Sequence, residues 1–76
     1  MIVKELERLL IDMNIPSHAY SVSGGLPNEA FCIGQSGDVW ETYYSERGSK
    51  TSIREFGSES EACEYFLKCI KRTFKK

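Results

Sequence analysis

The chain has 76 residues, 41% of them hydrophobic and 28% charged, with a net charge of −1. One domain of this size buries roughly 60% of its unfolded surface, which allows one core layer but no deep enclosed active-site cavity. The near-neutral balance excludes strong electrostatic binding of nucleic acid by the chain as a whole. No apolar run approaches the ~20 residues of a membrane-spanning helix.

Ile2, Val3, Leu6, Leu9, Leu10 and Met13 recur at helical spacing between Lys4, Glu5, Glu7, Arg8 and Asp12. This spacing predicts an amphipathic helix with one apolar face. The charged run Lys4-Glu5-Leu6-Glu7-Arg8 also breaks any apolar stretch that a secretory leader would need. Asn14 suits the left-handed position just past the helix end, and Pro16 prevents continuation.

Four short strands are expected next, over residues 18–22, 29–34, 39–45 and 50–56. Ser23-Gly24-Gly25-Leu26-Pro27-Asn28 separates the first two as a loop, because glycine pairs and proline avoid strand interiors. Phe31 and Ile33 fall on one face of the second strand, Ala30 and Cys32 on the other. Ser36-Gly37 reads as a tight hairpin turn. Glu46-Arg47-Gly48 reads as the turn after the third strand, and the polar fourth strand suits a sheet edge.

Ser58-Glu59-Ser60-Glu61 has the form of a capping box, in which Ser58 and Glu61 each satisfy the other's free backbone amide. Ala62, Phe66, Cys69, Ile70 and Phe74 then form an apolar stripe over a helix expected at 59–74. The predicted architecture is α+β and two-layered, in the order αββββα. It is a single domain, a four-stranded antiparallel meander with the N- and C-terminal helices packed on one face.

Charge is unevenly spread. Residues 1–64 hold all 11 acids and five bases (Lys4, Arg8, Arg47, Lys50, Arg54), a balance of −6. Residues 65–76 carry Lys68, Lys71, Arg72, Lys75 and Lys76, a balance of +5. Two readings stand: cations complementing the helix dipole, or a basic end that touches an acidic partner.

The residues offer no catalytic pattern. His18 is the single histidine, and Cys32, Cys63 and Cys69 form no zinc-ligand spacing with it. An odd cysteine count in a short chain argues against a secreted disulfide scaffold, so buried, reduced thiols in a cytoplasmic protein are expected. Ser23-Gly24-Gly25 lacks the lysine and helix start of a phosphate cradle. No nucleophile elbow exists to hold a serine. The expectation is therefore no enzyme, no catalytic residue, no metal and no cofactor.

Aromatic residues concentrate in Val39-Trp40-Glu41-Thr42-Tyr43-Tyr44-Ser45-Glu46-Arg47-Gly48. Strand alternation puts Trp40, Thr42 and Tyr44 on one face and Val39, Glu41 and Tyr43 on the other. Assigning Trp40 and Tyr44 to the core avoids burying Glu41, and leaves Tyr43 exposed beside it. An exposed Tyr43 is either a cross-strand pair that stiffens the sheet or an anchor in an interface. Base stacking on an aromatic sheet is a further possibility, opposed here by Glu41, Glu46 and Glu55.

Leu26-Pro27-Asn28-Glu29-Ala30, Gly37-Asp38-Val39-Trp40-Glu41, Tyr43-Tyr44-Ser45-Glu46-Arg47-Gly48 and Ser58-Glu59-Ser60-Glu61-Ala62-Cys63-Glu64-Tyr65-Phe66 together resemble a family of small bacterial immunity proteins. Such proteins are encoded beside polymorphic or contact-dependent toxins. The resemblance spans residues 26–68. It implies a cytoplasmic antitoxin that binds a cognate toxin protein and blocks its active site or substrate path, without catalysis. Charge and hydropathy argue for no nucleic-acid and no membrane partner, and the exposed edge at 50–56 is expected to leave a monomer or weak homodimer. On this resemblance Tyr43, Tyr44, Glu46 and Arg47 are partner-binding candidates with Gly48 as a turn residue, and Glu41 joins them from its place beside Tyr43. The alternatives are a small adaptor domain, or a sheet that binds single-stranded nucleic acid weakly.

Overall fold

A computed structural model describes residues 1–74; Lys75 and Lys76, two of the five cations of the basic end, lie outside the described residues. Two helices and a four-stranded mixed sheet make up the fold. Helix α1 spans Val3–Asp12, followed by a single 3-10 turn at Ser17–Ala19. Strands β1 (Tyr20–Ser21), β2 (Ala30–Ser36), β3 (Val39–Glu46) and β4 (Ser49–Phe56) lie side by side in chain order, and helix α2 spans Glu59–Thr73.

The expected all-antiparallel meander is corrected at its first strand. β1 runs parallel to β2, pairing Tyr20 with Phe31 and Ser21 with Cys32. β2–β3 and β3–β4 are antiparallel, as expected. The reason lies in the loop at residues 22–29. It does not reverse the chain at the sheet edge but carries it back beneath the sheet, so β2 starts at the same end as β1. Only two residues of the expected 18–22 strand pair at all.

Helix α1 ends as its sequence dictates, with Asn14 in the left-handed region at φ 60. Its apolar face is narrower than the spacing predicts: Leu6 and Leu10 are fully buried, whereas Leu9 and Met13 stay more than a third exposed. At α2, the Glu61 amide donates to Ser58 Oγ at 3.2 Å, half of the expected capping box. The Glu61 carboxylate accepts from the Ser58 hydroxyl rather than from its backbone amide. Glu59 does something the spacing does not announce. Its Oε2 accepts from the Val3 amide at 2.7 Å, so the first turn of α2 caps the first turn of α1 across 56 positions of chain.

The main core lies between the helices and one face of the sheet. Leu6, Leu10, Ile15, Ile33, Ala62, Cys63, Phe66 and Ile70 form it, and Phe31, Trp40 and Phe56 pack against its margin. The register confirms that Ile33 faces the same way as Thr42, and Phe31 the same way as Tyr44. Trp40, Thr42 and Tyr44 therefore occupy the helix face, but the expected core places of Trp40 and Tyr44 are corrected: both are half-buried, Trp40 at the margin of the core and Tyr44 outside it.

The opposite face is not open. Gly24 donates its amide to the Ile33 carbonyl at 3.1 Å, and its backbone lies flat against Gly34. A Cβ built on Gly34 would meet Gly24 Cα at 3.1 Å. Glycine in a strand interior allows this close approach of backbone to backbone. The 22–29 loop thus forms a partial third layer over Ala30, Cys32, Tyr43 and Ser45, all buried.

Candidate functional site

The β3–β4 hairpin carries all five residues singled out for partner contact, and the structure divides them among three surfaces. Glu41 and Tyr43 lie on the loop face, Tyr44 on the helix face, and Glu46 and Arg47 at the hairpin tip.

Tyr43 corrects the expectation that it is exposed: only 4% of its surface is accessible. Its hydroxyl donates to the Gly25 carbonyl at 2.6 Å, and two residues along Ser45 Oγ donates to the Pro27 carbonyl, also at 2.6 Å. The loop carbonyls supply acceptors that a solvated loop would have turned toward water. Burial pushes the Tyr43 phenol up to about 12, with the facing Cys32 and the Glu41 carboxylate adding to the rise. Burial likewise raises the Cys32 thiol.

Glu41 is half-buried and paired. Lys50 Nζ lies 2.7 Å from its Oε1 and 4.5 Å from the centre of the Tyr43 ring. Lys50 was not among the sequence candidates; its facing position follows from the Ser45–Lys50 register, which no local pattern encodes. One cation thus neutralises the acid and covers the aromatic ring. This side of the hairpin is internally satisfied.

The tip is different. Arg47 and Gly48 form a two-residue turn between the Glu46–Ser49 pair, and both have positive φ, 51 and 76. That is the dihedral pattern of a type I′ turn, which favours asparagine, aspartate or glycine. Glycine meets the demand at its position; arginine does not. The Arg47 amide donates to Asn28 Oδ1 at 3.3 Å, which ties the tip to the loop layer. Both Glu46 and Arg47 are exposed.

On the helix face, Tyr44 meets Phe31 edge-on with ring centres 5.0 Å apart. Beside this pair an open cleft of about 530 Å³ separates β3 and β4 from the second half of α2. Tyr65, Phe66 and Cys69 wall it from the helix, and Arg72 and Thr73 line it at the last turn. Tyr65 is fixed by Phe56, with ring centres 5.3 Å apart, and by the Arg54 guanidinium 5.2 Å from its ring centre. Thr42 lines the same cleft. It is 4% exposed, and its Oγ1 has no hydrogen-bond partner among the described residues.

The three thiols are free, with Cys32 and Cys63 buried and Cys69 partly so. Burial and the neighbouring Glu59 carboxylate push Cys63 up to about 11, which keeps it protonated and unreactive near neutrality. Among the described residues no three of His, Cys, Asp or Glu are grouped to hold a metal ion, and no helix is long and apolar enough to cross a membrane.

The fold defines a small α+β protein with a mixed sheet of order β1-β2-β3-β4. Set against family models, curated proteins and solved structures, the chain matches none.

Proposed function

We propose that this protein is an immunity protein, which binds a cognate toxin domain and neutralises it by occluding its active site or substrate path. The contact surface in this reading centres on the β3–β4 tip. The observation that carries it is Arg47, exposed and held at φ 51. A side chain other than glycine or asparagine in this region costs about 1 kcal/mol. Strain of this kind gathers at binding sites, where the side chain's role offsets it. Glu46 and Arg47 together present an acceptor and a bidentate donor on a hairpin tip tied to the loop layer through Asn28, a preorganised contact with little to lose in entropy on binding. The Tyr-Ser-Glu-Arg-Gly run that resembles immunity proteins ends at this tip. A net charge of −1 speaks for a target other than a nuclease recognised through nucleic-acid mimicry. Neither catalysis nor a cofactor is asked of the chain.

The test is rescue of toxin-expressing cells by co-expression, with the toxin taken as the partner captured by pull-down from the native organism. Arg47→Asn relieves the turn and should raise stability by about 0.5–1 kcal/mol, yet weaken toxin binding at least tenfold. The Glu46→Ala, Arg47→Ala pair should abolish rescue with the fold intact. Full rescue by both variants would place the contact elsewhere.

A further inference from the structure

We propose that the tip half of β4 is a two-register element, and that Lys50 selects the register in which Glu46 and Arg47 are presented to a partner. The slip between registers is a property of the hairpin alone; its bearing on binding rests on the toxin-contact reading.

The β3–β4 hairpin changes register partway along. Trp40–Phe56, Glu41–Glu55 and Thr42–Arg54 pair in one register, and Tyr44–Thr51, Ser45–Lys50 and Glu46–Ser49 in another, displaced by one residue. A bulge at Ser52 and Ile53, opposite Tyr43, takes up the difference. Both ends of the displaced segment are strained. Ser52 is left-handed at φ 53 and Arg47 at φ 51, one in a bulge position and one in a turn position that favour glycine. A one-residue slip of Ser49–Ser52 would carry the first register through to the turn. Tyr43 would then pair with Ile53, Tyr44 with Ser52 and Glu46 with Lys50, and the bulge would leave the strand for the turn. Arg47-Gly48-Ser49 would become a three-residue turn, in which only the last residue is left-handed. The slipped hairpin thus gains a ladder pair and holds one non-glycine residue left-handed, Ser49, in place of two.

Lys50 opposes the slip. A one-residue shift moves side chains to the other face of the sheet, so Lys50 would leave Glu41 Oε1, now at 2.7 Å, and the Tyr43 ring, now at 4.5 Å. It would come to lie across from Glu46 on the helix face. The Arg47 amide would also leave Asn28 Oδ1, and Thr51 Oγ1 the Tyr44 carbonyl, but both of these bonds are exposed to water, which replaces them. In the observed register Glu46 has no ion pair among the described residues. In the slipped one Lys50 neutralises it, and Arg47 turns right-handed. The strained register is the one that leaves the tip available.

NMR on the isotope-labelled full chain distinguishes the two registers. Wild type should show cross-strand contacts of Tyr44 with Thr51. Lys50→Gln should raise the population of the slipped register about tenfold, and Ser49→Gly, which suits the new turn, about fivefold more. The double variant should show contacts of Tyr44 with Ser52 and of Tyr43 with Ile53, with exchange confined to residues 43–53. Ser52→Gly, which relieves the bulge, should do the reverse, raising the melting temperature and quenching the exchange. In the co-expression assay the double variant should rescue less well than wild type, although Glu46 and Arg47 are unchanged. Retention of the Tyr44–Thr51 contacts in the double variant with no second state above about 1%, or exchange across the whole sheet, would overturn the two registers. A slip seen by NMR with rescue undiminished would overturn their link to binding.

Discussion

The two faces of the sheet are both covered, by different physics. The helix face is covered by apolar side chains except at the open cleft beside Tyr44: Leu6, Leu10, Ile33, Phe66 and Ile70 are all at most 2% exposed. The loop face is closed by backbone. There the 22–29 segment offers carbonyls to Tyr43 and Ser45 and an amide to Ile33, and the glycines let it lie close. The first face draws on burial, which scales with area and tolerates some repacking. The second draws on directed bonds and a backbone contact, which tolerate almost none. A domain this small gains a second covered face without a second set of large apolar residues.

The largest effect is expected on the helix face. Phe66→Ala removes a 2% exposed ring from the centre of the core and should cost about 3–5 kcal/mol. A domain of this length has a total stability of roughly 4–11 kcal/mol, so urea denaturation should find the variant largely unfolded or near it. A loss under 1 kcal/mol would mean that the helix face is not the main core.

Gly34→Ala attacks the other face. Its Cβ would press on Gly24 Cα at 3.1 Å and on Gly24 N at 3.3 Å, backbone atoms with little room to yield. The expected cost is about 1–3 kcal/mol, with amide-exchange protection lost at Gly24 and retained in α2. Uniform loss across both faces would show that they do not open separately.

Tyr43→Phe is milder, at about 1 kcal/mol, since it leaves the Gly25 carbonyl without its donor. It also carries a pH signature. A tyrosine in the unfolded chain ionises near pH 10, whereas folded Tyr43 holds its proton up to about 12. The fold thus favours the neutral phenol: its contribution is whole below pH 10 and is lost as pH rises from about 10 to about 12. Cys63, raised to about 11, gives a similar decline from about pH 9 in wild type and variant alike. Subtracting the two stability curves removes the Cys63 part and leaves the phenol together with its coupled neighbour, the raised Cys32 thiol. A constant difference from pH 9 to 12 would remove Tyr43 from the buried set.

Much of this division was legible in the sequence, and the illegible part has a definite cause. Both helices follow from apolar spacing and end signals, such as Asn14 and Ser58. The helix face of β3 follows from the need to keep Glu41 out of the core. Tyr43 was misplaced because alternation identifies two faces without revealing what covers the second. Ser-Gly-Gly-Leu-Pro reads as solvated loop, and nothing local announces that its carbonyls point at a sheet. Gly34 is expected at the end of the 29–34 strand, whereas β2 runs on to Ser36 and holds it inside, where glycine marks close approach of another backbone. The candidate site was legible at its tip, since Glu46, Arg47 and Gly48 are consecutive. The cleft was not, because Thr42 and Arg72 are brought together only by the packing of α2.

The irregularity in β4 bears on how the protein survives at high concentration. Thr42 pairs with Arg54 and Tyr44 with Thr51, so Ser52 and Ile53 together oppose Tyr43, with Ser52 at φ 53. This bulge kinks an eight-residue strand that is otherwise free along one side, and Lys50, Arg54 and Glu55 stud it with charge. A straight, apolar edge would template the addition of further strands and seed fibrils. The misfit in the ladder therefore acts as a guard against aggregation, placed at the edge where a second copy would otherwise begin to stack.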